Sequence, residues 1–132
     1  MSENLKVGLK GEAKEVVTSN NTAIKYGSGS VEVYATPAMI GLMEKAALSS
    51  VDPLLPEGQT TVGTALNVRH LAATPIGLTV TARSELIQIE NRKLVFRVEA
   101  FDSKEKIGEG THERFIVDLE RFLSRADKKV KG

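Results

Sequence analysis

The sequence contains no cysteine and no tryptophan, and only 5% of its 132 residues are aromatic. Without cysteine the chain can form no disulfide bond, no thiolate nucleophile and no cysteine-based zinc site. Its formal net charge is +1, which creates no field strong enough to attract nucleic acid. These absences exclude disulfide-stabilised domains and cysteine-dependent enzymes, and no nucleic-acid partner is expected.

Long apolar runs are also lacking. No window approaches the roughly 18 uninterrupted apolar residues of a membrane span, and residues 1–6 mix acidic and basic side chains, unlike a signal peptide. We therefore expect a cytoplasmic protein with no membrane partner. A chain of 132 residues is long enough for one core and short for two, so residues 1–132 are predicted to form a single domain.

One apolar segment, at residues 36–50, predicts a long helix. Thr36 followed by Pro37 is typical of a helix start, because the threonine hydroxyl can accept an unpaired backbone N–H and the proline gives up a donor that needs no partner. Apolar side chains spread around most of the circumference of this helix. The pattern predicts a helix that is buried on nearly all sides.

Glu44 lies inside this apolar segment, at helical spacing from Ile40 and Ala47. Because an unpaired buried carboxylate is costly, Glu44 should be paired, protonated or directed towards a cavity. The helix alone leaves open a second interpretation, in which Glu44 lies on a narrow solvent-exposed strip beside Lys45 and only keeps the helix soluble.

The rest of the chain alternates as β-strands do. Strands are predicted at residues 11–18, 31–34, 60–71, 78–90, 94–100 and 106–117, with a strand or an irregular lead-in at 22–26, a short amphipathic helix at 118–127 and a frayed basic end at 128–131. In strand 60–71, His70 shares a face with the apolar residues, and Gly63 lies on the opposite face. In strand 78–90 the apolar phase shifts near Leu86, which predicts a β-bulge. The order of elements predicts an α+β fold, with a curled antiparallel sheet wrapped around one long central helix.

Five stretches, taken in order, resemble the hotdog-fold acyl-CoA thioesterases, and most of all the fluoroacetyl-CoA thioesterase family. They are residues 33–36, 41–44, 63–65, 70–80 and 110–114. The resemblance covers roughly residues 8–122 and leaves a basic tail at 123–132. It implies a hotdog fold and hydrolysis of an acyl-CoA thioester to a carboxylate and free CoA, with no metal and no other cofactor. It also implies a homodimer whose two sheets join into one layer, with active sites where the subunits meet; assembly into a tetramer is left open.

By this resemblance, Thr36, Glu44 and His70 match the family's catalytic threonine, glutamate and histidine. Gly63 matches a glycine that lets the backbone approach the acyl group, and Arg114 matches an arginine beside the site. The residue types suit the reaction, since a carboxylate can act as nucleophile or general base, a histidine can carry a proton near neutral pH, and a threonine can donate a hydrogen bond.

Each of these residues also has a simpler interpretation. Thr36 could be a plain N-cap, and Arg114 could neutralise Glu113 or Asp118 at a strand surface. His112, the second histidine, is interpreted as structural, pairing with a glutamate or with backbone across the sheet.

The spacing of Thr36 and Glu44 bears on assembly. If both lie on one regular helix, eight residues separate them by roughly 12 Å along the axis, which is too far for direct contact. A catalytic site that uses both residues should therefore draw on two subunits.

The substrate is expected to be a short- or medium-chain acyl-CoA. Residues 27–30, with the sequence Gly-Ser-Gly-Ser, stand where the fluoroacetyl enzyme has an aromatic lid segment, so selectivity for fluoroacetyl is not expected. The main alternative is a non-catalytic acyl-CoA binding or sensing module. A hydratase is less favoured, because no aspartate is placed beside His70 for proton abstraction.

Overall fold

A computed structural model of the chain describes residues 4–132. Its helices and strands are β1 (Lys10–Val16), α1 (Ala23–Tyr26), α2 (Thr36–Val51), a 3₁₀ turn (Asp52–Leu54), β2 (Gln59–His70), β3 (Thr79–Glu90), β4 (Lys93–Phe101), β5 (Lys106–Asp118) and α3 (Leu119–Lys131). The strands form one antiparallel sheet in the order β1-β3-β4-β5-β2, with α2 packed across one face. This curled sheet around a long central helix is the hotdog fold.

Helix α2 begins where the sequence predicts, but its first residue is capped differently. Ala35, in extended conformation, is the N-cap and makes no side-chain cap hydrogen bond, while Pro37 lies in the first turn. The prediction that the Thr36 hydroxyl caps the helix is therefore wrong. That hydroxyl is free to be used elsewhere.

The core lies between α2 and the sheet. The buried residues of α2 are Ala38, Met39, Leu42, Met43, Ala46, Ala47 and Val51. They pack against strand residues such as Val80, Phe96 and Ile107, which are fully buried. Because one sheet covers only one side of a helix, α2 leaves exposed a strip with a spacing of four residues, made of Pro37, Gly41, Lys45 and Ser49. The prediction that the helix is buried on nearly all sides was therefore too broad.

Strand β2 contains a bulge that changes which side chains share a face. Gly63 lies opposite Arg114 of β5, but the register then shifts by one residue at Thr64, so that His70 lies opposite Gly108. Gly108 and Arg114 are an even number of residues apart and face the same side, and directly opposed residues share a face. Gly63 and His70 therefore lie on the same face, and the prediction of opposite faces was wrong because it assumed an unbroken strand.

The predicted bulge in β3 is confirmed, since the register with β4 shifts between Leu86 and Gln88. Residues 22–26 form no strand: Thr22 accepts a hydrogen bond from Lys25 N and caps the short helix α1. Residues 31–34 also form no regular strand, and the backbone there makes only the isolated bridges Val33–Pro75 and Thr22–Tyr34.

The C-terminal end is helical. Helix α3 spans Leu119–Lys131, so the amphipathic helix predicted for 118–127 is present and also includes most of the end predicted to fray. No α3 residue is buried. Within residues 4–132, no helix is both long and apolar enough to cross a membrane. The expectation about residues 1–6 falls partly on residues 1–3, which lie outside the described residues.

Candidate active site

Thr36 and His70 form a hydrogen-bonded pair. The first turn of α2 presents Thr36 to the last residue of β2, and Thr36 Oγ1 lies 2.7 Å from His70 Nδ1. The other ring nitrogen, Nε2, is buried with no hydrogen-bond partner among the described residues. Burial lowers the pKa of His70, although the nearby backbone of Ala72 acts in the opposite direction. His70 is therefore neutral at neutral pH, and its Nε2 is bound to no group of the described chain.

Tyr34 fixes the backbone that leads into this pair. Its ring is buried, and its hydroxyl donates a hydrogen bond to the Glu15 carboxylate of β1. Burial, reinforced by the negative charge of Glu15, raises the pKa of Tyr34, so the phenol stays neutral and remains a donor. Only Ala35 separates this anchor from Thr36, which explains why the threonine is held against His70.

A cavity of about 390 Å³ adjoins the Thr36–His70 pair. Its walls come from the segment that follows α1 and from the backbone after β2. They include Ser28, Gly29 and Val31 on one side and Leu71, Ala72 and Ala73 on the other. Apart from Tyr34, Thr36 and His70, the lining side chains are small or aliphatic, so the cavity can accept an apolar group beside His70.

Glu44 and Arg114 form a second pair, two turns further along α2. Glu44 Oε2 lies 3.9 Å from Arg114 Nη1, and the two side chains are 38% and 7% exposed. Gly63 faces the same carboxylate, because a Cβ added there would lie 2.6 Å from Glu44 Oε2. The glycine thus leaves room beside the carboxylate, and Glu44 does not lie on a purely solvent-exposed strip. Arg114 is buried, so its interpretation as a surface partner of Glu113 or Asp118 is wrong.

Three further groups hold the Arg114 guanidinium. Its Nε donates to Thr61 Oγ1 at 2.8 Å, its Nη2 donates to the Thr61 carbonyl at 2.9 Å, and its Nη1 donates to His112 Nε2 at 3.1 Å. Burial lowers the pKa of Arg114, while the charges of Asp52 and Glu44 act in the opposite direction. Since a guanidinium keeps its proton throughout the physiological range, the side chain remains a fixed cation.

His112 belongs to this second group, which the sequence did not predict. Its Nδ1 lies 3.0 Å from the Ala65 carbonyl, so the expected pairing with backbone across the sheet is confirmed. Because Arg114 can only donate, Nε2 must be the unprotonated nitrogen and Nδ1 must carry the hydrogen. Burial, assisted by the Arg114 charge, lowers the pKa of His112. The missed signal was the two-residue spacing of His112 and Arg114, which places both on one face of β5.

The structure thus gathers the predicted residues into two places. Thr36 meets His70, and Glu44 meets Gly63 and Arg114. Since Thr36 and Glu44 lie on the same regular helix, the separation of roughly 12 Å along its axis applies. A single chain does not bring the three predicted catalytic side chains together.

Comparison with known proteins identifies the family. Residues 17–120 match the family described as fluoroacetyl-CoA-specific thioesterase. The fluoroacetyl-CoA thioesterase of Streptantibioticus cattleyicolor is 48% identical over 99 residues, which make up 75% of this chain and 71% of that protein. The chain belongs to this family. As a fluoroacetyl-CoA-thioesterase family member, it is an acyl-CoA thioester hydrolase.

Solved structures also place this chain among the thioesterases. The crystallised fluoroacetyl-CoA thioesterase FlK is 40% identical, with a TM-score of 0.90, and the match covers 96% of this chain and 98% of that one. A thioesterase superfamily member from Thermus thermophilus is 27% identical, with a TM-score of 0.87 over 98% of each chain. The hotdog fold is therefore shared well beyond the fluoroacetyl-CoA enzymes.

Proposed function

We propose that the protein hydrolyses a short- or medium-chain acyl-CoA, with Thr36, Glu44 and His70 as its catalytic residues and with Gly63 and Arg114 contacting the substrate. The observation that carries this proposal is the pairing of Thr36 with His70 and of Glu44 with Arg114 on one sheet face, in a chain of a thioesterase family. That acyl-CoA is the substrate class is supported by FlK variants solved with acetyl-CoA and with fluoroacetate and CoA.

The residues can divide the chemistry of hydrolysis between them. Glu44 acts either as nucleophile on the thioester carbon or as general base that takes a proton from the attacking water. In the nucleophilic route water then hydrolyses the acyl–glutamate anhydride that has formed. In both routes the C–S bond breaks, and the CoA thiolate finally receives the proton that the attacking water gives up; His70 carries this proton and is neutral again at the end. The Thr36 hydroxyl donates to His70 Nδ1 when the ring proton is on Nε2, and it thereby fixes the orientation of the ring.

The cavity beside His70 supports a substrate larger than fluoroacetyl. Ser28 and Gly29, from the Gly-Ser-Gly-Ser segment, line it with small side chains, so the volume of about 390 Å³ is not reduced by an aromatic ring from this segment. Aliphatic neighbours such as Val31 and Leu71 favour an unsubstituted hydrocarbon chain. No feature of this cavity selects for a fluorine atom.

We infer further that the working enzyme is a homodimer in which each site takes Thr36 and His70 from one subunit and Glu44 from the other. Two observations support this arrangement. Thr36 and Glu44 are roughly 12 Å apart along α2, and β2, which carries both Gly63 and His70, is an edge strand. Its outer edge pairs with no other strand of the described chain, so the β2 strand of a second copy could extend the sheet there.

The first experiment measures free-thiol release from a panel of acyl-CoAs of increasing chain length, with fluoroacetyl-CoA included. We expect the highest kcat/KM with a short or medium chain, and a loss of at least about a hundredfold in Glu44→Ala and in His70→Ala, the effect of removing an acid–base group. If no acyl-CoA is hydrolysed but one still binds and raises the Tm, the protein is a binding module instead.

A mixing experiment tests the shared site. Glu44→Ala and His70→Ala are each expected to be nearly inactive, but a mixed dimer contains one site with both residues intact if the residues come from different subunits. Co-refolding the two variants should therefore restore thiol release to a substantial fraction of the wild-type rate. If every mixture stays inactive, each subunit supplies its own complete site. Cytoplasmic location, a single domain and the absence of any metal or other cofactor stay predictions.

A further inference from the structure

We propose that Asp52 and Thr61 are positioning residues that direct the Arg114 guanidinium towards Glu44. This role rests on the proposed function, because it assigns a purpose to the orientation of Arg114 within that same site. Aspartate and threonine can act directly in catalysis, but in this role both residues act on Arg114 and not on the substrate. Both lie outside the pairs that meet at the site, and Asp52 follows directly after the end of α2.

The direction of each hydrogen bond in this group follows from the donor inventory. Asp52 accepts from the hydroxyls of Thr60 and Thr61 at 2.5 and 2.6 Å, and also from the Thr61 backbone N–H at 3.3 Å. A hydroxyl has a single hydrogen, so Thr61, having donated it to Asp52, can only accept from Arg114 Nε. Asp52 therefore holds Thr61 in the one orientation that binds the arginine.

The guanidinium is planar, and its contacts fix that plane. Nε and Nη2 both bind Thr61, and Nη1 binds His112, whose tautomer is set by the Ala65 carbonyl. These contacts leave Nη1 3.9 Å from Glu44 Oε2, which is beyond hydrogen-bond distance. Arg114 therefore supplies positive charge to Glu44 without binding its oxygens, and the carboxylate stays available for water or for the thioester.

Charge placement supports the same role. Arg114 is a buried cation between two carboxylates, Glu44 on one side and Asp52 on the other. Thr61 lies between Asp52 and Arg114. The Asp52 carboxylate therefore balances the positive charge of Arg114 without drawing the guanidinium away from Glu44. If Thr61 moved, Arg114 could turn towards either carboxylate.

Neighbouring threonines provide a matched test. Thr60 and Thr61 both donate to Asp52, but only Thr61 binds Arg114. We expect Thr61→Val to lower kcat by about ten- to a hundredfold with little change in KM, since a displacement of about 1 Å can cost a hundredfold. Thr61→Ser keeps the hydroxyl and should retain the wild-type kcat. Thr60→Val removes an equal hydroxyl from Asp52 and should retain it as well.

The comparison of kcat with Tm separates positioning from stability. A purely structural role for the Asp52 group predicts that any loss of kcat in Thr60→Val and Thr61→Val follows the loss of Tm in the same variant, and this result would overturn the proposal. If Thr61→Val does not fold, Asp52→Ala serves in its place, because it removes the acceptor that orients the Thr61 hydroxyl; an unchanged kcat there would also overturn the proposal. If the wild-type chain hydrolyses no acyl-CoA, the proposed function itself is wrong and the role of Thr61 falls with it.

Discussion

The chain has only two histidines, and both lie on the same face of the sheet with pKa values lowered by burial. His112 has both ring nitrogens committed, one to the Ala65 carbonyl and one to Arg114. His70 has one nitrogen bound to Thr36 and the other bound to no group of the described chain. Burial and lowered pKa alone would not distinguish the two.

What distinguishes them is the uncommitted nitrogen. A proton carrier needs one nitrogen fixed in direction and one available to substrate or water, and His70 meets both conditions. A histidine with two fixed partners cannot change its protonation state without breaking a buried hydrogen bond. His112 therefore acts as a rigid acceptor for Arg114, and the catalytic work is expected at His70.

The largest expected effect separates the two histidines directly. His70→Ala should lower kcat by at least about a hundredfold, because it removes the proposed proton carrier. His112→Ala leaves a buried Arg114 donor without its acceptor and should lower the free energy of unfolding by about 1–3 kcal/mol. Steady-state kinetics and urea unfolding on both variants check this. If both variants lose the same factor in kcat and the same free energy of unfolding, the two histidines do not differ in role.

The next expected effect concerns two glycines. A Cβ at Gly63 would meet the flexible end of Glu44, whereas a Cβ at Gly110 would lie 2.2 Å from the Asn67 backbone carbonyl, which cannot move aside. Gly63→Ala should lower kcat by about ten- to a hundredfold by displacing the carboxylate, with the Tm nearly unchanged. Gly110→Ala should instead lower the Tm. A large drop in Tm for Gly63→Ala would show that this glycine serves the fold.

A smaller effect is expected at Thr36. Thr36→Val removes the hydroxyl that binds His70 Nδ1 but keeps the shape of the side chain. Loss of one hydrogen bond of about 0.5–1.5 kcal/mol should lower kcat about two- to thirteenfold, because His70 can then turn or change tautomer. Thr36→Ser should restore most of the activity. If the valine variant is as active as wild type, the hydrogen bond has no role in the reaction.

The smallest expected effect is the dependence of stability on pH. The folded histidines bind a proton less readily than unfolded ones, whose pKa is 6.5. Their contribution to stability is therefore complete above pH 6.5 and is lost as the pH falls below it. Urea unfolding between about pH 5.5 and 7.5, above the range where most carboxylates titrate, should show this decline. The decrease in the free energy of unfolding per pH unit should be smaller in His70→Ala and in His112→Ala. If this decrease is unchanged in both variants, the prediction is wrong.

The sequence predicts much of the fold because each helix and strand is marked by a periodic pattern of apolar residues that are close together in the chain. The helix predicted for 36–50 is present as Thr36–Val51, and the four long strands lie within one or two residues of their predicted positions. The bulge near Leu86 was visible because the apolar residues of β3 change phase there. The bulge at Thr64 was not visible, because β2 has small or apolar residues in both phases and so gives no marker.

The site was predictable only in part, because its contacts join residues distant in sequence. The Thr36 hydroxyl looked like an N-cap, and the residue that takes it, His70, is 34 positions away. Asp52 and Thr61 meet only because the loop after the 3₁₀ turn brings β2 back to the end of α2. No local pattern marks that contact, so their part in holding Arg114 could not have been read from the sequence.

The bulge at Thr64 also controls what can bind the open edge of β2. An ordinary strand added there would match the side-chain phase on one side of the bulge and be out of phase on the other. A strand that has an irregularity of its own can match both parts of the edge, and a second β2, as in the proposed homodimer, carries such an irregularity. The bulge at Thr64, which places Gly63 and His70 on one face, therefore also protects this edge from aggregation with unrelated strands.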